Sequence, residues 1–180
     1  MKYAWIAAQG KAFSLVEMCD VLDVSVSGYR AWKRGGAPDR KRLTDSQMLA
    51  LILRANYHAE GISFFTPKEF SQQLGYMNRP AGYVIPPHVH NPVSREVLFT
   101  KEVLFIKSGR VRADFYDDDQ NYLESRILEK GDFILLAFGG HGFEMLEPSE
   151  MIEVKQGPYA GDNDKTRFTG ISADQARIIK

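Results

Sequence analysis

The chain has 180 residues, 44% of them hydrophobic and 12% aromatic, and its 23 basic side chains balance 23 acidic ones. That composition fills one generous domain or two small ones and excludes wholesale disorder. A single cysteine, Cys19, excludes an internal disulfide and any cysteine-rich zinc module, so metal chemistry must rest on His, Asp or Glu.

No apolar run approaches the roughly 20 residues that span a bilayer, and the opening Met1-Lys2-Tyr3-Ala4-Trp5-Ile6 lacks the apolar core of a signal peptide. The expectation is a cytoplasmic protein with no membrane partner. Charge is unevenly spread: residues 1–60 carry nine Lys or Arg against six Asp or Glu, and residues 61–180 carry fourteen against seventeen. Apolar spacing changes near the same point, from helical to alternating. Two modules and a tail are therefore expected, at 1–60, 61–168 and 169–180.

In the first module Ser14 and Glu17 form a capping box, and Leu15, Met18, Cys19 and Leu22 share one helical face. Asp23-Val24 makes a turn, Ser25 caps a second helix running through Trp32 to Arg34, and Gly35-Gly36-Ala37-Pro38 ends it. A longer helix capped by Thr44 is predicted over 45–59, which would leave His58 near its C-terminus. Ser25, Ser27, Arg30, Lys33 and Arg34 would lie on or near a recognition helix, with Arg40-Lys41-Arg42 available for phosphates. The other reading is a small helical bundle with solvated basic residues.

The segments MKYAWIAAQGKAF and MCDVLDVSVSGYRAW, and a continuation ending NYHAE, resemble the amino-terminal helix-turn-helix of the OrfB transposase subunit of insertion sequences. Val26 stands where that family usually has Arg, and Arg30 where it has Tyr. No transposase catalytic domain follows, so the resemblance implies weak DNA binding by residues 1–60 without transposase activity.

Thr66-Pro67-Lys68-Glu69 carries helix-start signals and Gly75 a stop signal, which predicts a short helix over 67–74. His88 and His90 follow two prolines in an extended segment, and on a strand both would face the same way. Further strands are predicted from Glu102 to Lys107, from Arg110 to Tyr116, and near 122–128, 132–137, 142–147 and 150–156. Asp117-Asp118-Asp119 reads as a solvated turn. Many short strands with close turns indicate a small barrel or sandwich, hence a mainly β fold after a helical segment.

Gly82, five residues, His88-Val89-His90, and then Glu102, six residues, Gly109, resembles the first motif of the cupin superfamily; Gly131 to His141 resembles the second more loosely. The likeness implies a jelly-roll barrel holding one divalent ion (Fe, Mn, Ni or Zn) on His88, His90, Glu102 and His141. Eleven residues separate His90 from Glu102, more than the family's usual spacing, so Glu96 competes for the carboxylate role.

PPHVHNP, EVLFIKSGRVRADFYDDD and MIEVKQGPYAGDNDKTRF together resemble the WbuC-like cupin-fold metalloproteins of bacterial polysaccharide clusters, across about 64–168. This implies a small-molecule ligand, sugar-derived or carboxylated. Arg95, Lys107, Arg112, Lys155 and Tyr159 are candidates to bind it, although Lys107 and Arg112 also fit outward strand positions. A DNA-binding regulator with a ligand-sensing cupin is the alternative, and a homodimer is left open. Residues 61–180 are expected to fold and hold metal on their own.

Overall fold

A computed structural model describes residues 2–9, 14–22, 24, 26–33, 39–42, 47–158 and 160–179. In chain order these form α1 (Lys2–Ala8), α2 (Leu15–Val21), α3 (Val26–Lys33), β1 (Asp39–Arg42), β2 (Met48–Leu53), β3 (Gly61–Phe64), β4 (Gly75–Asn78), β5 (Glu102–Ser108), β6 (Arg110–Tyr116), β7 (Tyr122–Glu129), β8 (Phe133–Leu136), β9 (Gly140–Met145) and β10 (Glu150–Lys155). The fold is mainly β, and all the strand pairs between these elements are antiparallel. Among the described residues no helix is long and apolar enough to cross a membrane.

The chain divides into two compact units. One comprises Met1–Ala37, Asn56–Phe65 and Gly75–His88. Its three helices share a small core of Ile6, Met18, Cys19 and Tyr29, against which Leu15, Leu22, Val24 and Val26 pack. The Ser14 hydroxyl accepts from the Glu17 backbone N–H while the Glu17 carboxylate accepts from that of Ser14, so the expected capping box starts α2. In the same unit β3 pairs with β4, and Tyr57 meets Phe65 and Tyr76 edge-on at 5.3 and 5.0 Å.

The second unit comprises Pro38–Ala55, Thr66–Leu74 and Val89–Lys180. A five-stranded sheet runs β1-β2-β8-β5-β10, and a three-stranded sheet runs β7-β6-β9. Both contribute to one core: Ala50 and Ile52, Leu104 and Ile106, and Ile134 and Leu136 from the first, with Val111, Ala113, Phe115 and Leu128 from the second. Alternate residues of each strand supply it, as the pleat requires. The β5–β6 turn needs Gly109, whose φ is +84° and whose missing side chain leaves room for Ser149 and the Pro148 carbonyl.

Four expectations are corrected here. The helix expected over 45–59 is instead strand β2, whose six residues are all buried between β1 and β8. MLALIL is apolar on every side because both faces of this strand are covered, which removes the alternation that marks a half-exposed strand. His58 consequently sits beside Asn78, with Nε2 and Nδ2 3.4 Å apart, and not at a helix end. Arg40-Lys41-Arg42 lies in edge strand β1, paired to β2.

The helix expected over 67–74 is a turn, Phe70 N–H to Pro67 C=O at 3.2 Å. The Thr66 hydroxyl accepts from the Leu74 backbone and donates to Gln73, closing a loop where a capped helix was expected. His88 and His90 lie outside any strand, in an irregular, exposed segment. Pro80, Pro86, Pro87 and Pro92 remove the N–H donors that ladder pairing would use there.

Residues 169–179 are not a loose tail. Ser125 on β7 accepts from Ile179 N–H and donates to Arg177 C=O, both at 2.9 Å, and the Tyr116 hydroxyl accepts from Ile171 N–H at 3.0 Å. The strands expected beyond residue 102 all appear, and Asp117 closes its turn by accepting from the backbone N–H groups of Asp119 and Asn121.

Candidate functional site

Glu102 opens β5 with the parity of Leu104 and Ile106, so its side chain faces the core side of the five-stranded sheet. His141 on β9 lies directly opposite Phe115 of β6 and so faces the core side of the three-stranded sheet. At this end the apolar core gives way to a cavity of about 560 Å³, and the two side chains meet on its wall with His141 Nε2 and Glu102 Oε2 3.2 Å apart. Lys155 Nζ stands 4.0 Å from the other Glu102 oxygen.

The His141 imidazole holds the Glu102 carboxyl below its ordinary value of 4.5, with burial opposing and the Lys155 and Lys165 charges assisting. A lowered folded-state pKa means that ionised Glu102 contributes stability above the ordinary value, and that this contribution is lost as pH falls through the depressed one. In chelator-treated protein, His141→Ala should therefore raise the Glu102 pKa and move the acid limb of stability to higher pH. Carboxyl NMR titration checks this, and an unchanged Glu102 titration would refute the pairing.

Glu102 and His141, two of the four expected metal ligands, are thus brought together. His88 and His90 are exposed, and the His88 ring nitrogen Nδ1 lies 2.9 Å from the Pro86 carbonyl oxygen. Among the described residues no group of three or more His, Cys, Asp or Glu is placed to hold an ion. The rival Glu96 is exposed in the same irregular stretch as His90.

Of the expected ligand-binding residues, Arg95 is exposed and donates to the Val93 carbonyl at 3.4 Å, while Tyr159 lies outside the described residues. Lys107 pairs with Glu150 on the surface. Arg112 is buried and bonded to Asp114, so it serves neither a ligand nor solvent. In the helical unit Arg30 and Lys33 are exposed near the end of α3; Ser27 lies on that helix, and Ser25 and Arg34 fall outside the described residues.

Sequence reasoning missed most of the cavity wall. Thr100 donates to Asp164 at 3.0 Å, tying the start of β5 to the segment that carries Lys165 and Arg167 past the opening. Phe168 meets Tyr116 edge-on at 5.0 Å. Lys101, only 6% exposed, lies over the Phe70 and Phe138 rings at 4.9 and 5.2 Å, and its burial lowers its pKa. The one sequence signal for this wall is the Asp164-Lys165 pair within the stretch that carries the polysaccharide-cluster resemblance. No family model, curated protein or solved structure matches the chain.

Proposed function

We propose that the chain is a cupin-type divalent-metal-binding protein acting on a small sugar-derived or carboxylated molecule, joined to a transposase-like helix-turn-helix remnant. The observation that carries this reading is the meeting of Glu102 and His141 at 3.2 Å on a cavity wall, each supplied by a different sheet. Two antiparallel sheets around one core are what a jelly roll requires, and the sequence resemblance supplies the remainder.

One carboxylate oxygen and one imidazole nitrogen form a donor pair suited to Fe(II), Mn(II), Ni(II) or Zn(II). His88 and His90 complete the set in this reading. When bound, the ion would polarise a ligand oxygen or lower the pKa of a water. The chain's own part is to orient Glu102 through His141 and Lys155, and to hold the ligand on the Tyr116 and Phe168 side of the cavity.

Metal analysis of protein purified without chelators tests the proposal. One ion per chain is expected, and His88→Ala with His90→Ala should abolish it; stoichiometric metal in that double variant would remove the two histidines from the site. Glu102→Gln should weaken binding more than Glu96→Gln, because Glu102 already faces His141 and Glu96 is exposed. The reverse order would move the carboxylate ligand to the irregular segment.

A second reading, a DNA-binding regulator with a ligand-sensing β unit, draws on the exposed Arg30 and Lys33 of α3. Its test is DNA binding by the whole chain whose affinity falls as salt rises.

A further inference from the structure

We propose that the cavity beside Glu102 and His141 takes a sugar-sized anion, with Lys165 and Arg167 gripping its carboxylate or phosphate. This rests on reading the cavity as the ligand site, and it is independent of whether an ion sits there. The cavity's 560 Å³ falls in the range of small-molecule sites, about 300–1,000 Å³.

Its charged wall is unevenly committed. Glu102 is engaged by His141 and Lys155, and Asp164 accepts from Thr100. Lys165 acts on Glu102 at longer range, but among the described residues neither Lys165 nor Arg167 makes a contact ion pair. Both are exposed to the solvent that fills the opening.

Their placement is fixed by the residues around them. The backbone is extended from Lys165 (φ −153°, ψ 149°), so positions 165 and 167 share a side of the strand-like segment. The segment is pinned before them by Thr100 on Asp164, and after them by Phe168 on Tyr116 and by Ile171 on the Tyr116 hydroxyl. Two cations two residues apart, one a planar guanidinium, match the paired oxygens of a carboxylate or phosphate.

Phe99, Phe138, Phe168 and Tyr116 line the same cavity and offer apolar ring faces. Such walls suit the C–H face of a sugar ring better than a bare inorganic anion, which would leave them wet.

Calorimetric titration of the full chain with D-glucuronate, D-glucose 6-phosphate and D-glucose tests the proposal. At least one of the two anions should bind ten times more tightly than glucose, and whichever does so identifies carboxylate or phosphate as the group recognised. Lys165→Ala with Arg167→Ala should erase at least tenfold of that preference with metal content unchanged, and Arg167→Lys should lose less than Arg167→Ala. Equal binding of all three sugars, no binding of any, or an unaltered preference in the double variant would overturn it. Anion preference in a wild-type protein that carries no metal would sink the metal assignment and leave this one standing; metal without anion preference would do the reverse.

Discussion

Residues 61–180 should not fold alone, whereas residues 39–180 should. β2 lies between β1 and β8, so deleting the first sixty residues unpairs the whole of β8 on one side, from Phe133 to Leu136. It also removes Met48, Leu49, Leu51, Ile52 and Leu53, all buried. At about 1.5–3 kcal/mol for each fully buried large apolar side chain, the loss rivals the entire ~5–15 kcal/mol stability of a typical domain. The expected result is a fragment without dispersed amide resonances or a cooperative melt, beside a 39–180 fragment that has both. A cooperatively folded 61–180 would show that the helical segment and β2 are dispensable, as charge balance and periodicity alone had implied.

That contrast separates what was legible in the sequence from what was not. The α2 capping box was legible because its donors and acceptors lie three residues apart. The β5–β6 hairpin was legible because an apolar run ends at a glycine that the turn's positive φ requires. β2 was not legible: MLALIL has good helix formers throughout, and its pairing partner β8 lies some eighty residues away. Local propensity favoured the helix, and the sheet overrode it.

The candidate site divides in the same way. Glu102 and His141 were found because motif spacing placed them, and the sheets deliver them to one wall. The paired histidines carried the same motif, yet the same-face argument needed a strand, and a proline-rich stretch provides none. Lys165 and Arg167 gave no local signal, since what makes them part of a site is a cavity assembled from Phe99 to Gly170. A residue's chemistry can be read from its neighbours in sequence, but its opportunity depends on contacts that sequence separation hides.

Asp114→Ala should cost about 3 kcal/mol or more of stability, among the largest single-residue effects expected in the chain. Asp114 and Arg112 are almost fully buried on the face of β6 that points away from the shared core. Asp114 Oδ1 accepts from Arg112 Nε at 2.8 Å and from the Ser125 hydroxyl at 2.5 Å, and Oδ2 accepts from Arg112 Nη2 at 3.0 Å. The carboxylate holds the Arg112 guanidinium firmly charged, pushing its pKa further above the usual arginine range. Removing Asp114 therefore strands a buried cation whose remaining partner, Glu144 at 2.6 Å, is half exposed. The Ser125 hydroxyl, which also meets Tyr122 beneath the strap formed by residues 177–179, loses its acceptor in the same step. Substituting both members, as in Arg112→Met with Asp114→Leu, removes the stranded charge and should restore part of the loss. Urea unfolding of the two variants decides the matter, and a double variant no more stable than Asp114→Ala would mean that the cost arises from Ser125 and the C-terminal strap and not from the buried guanidinium.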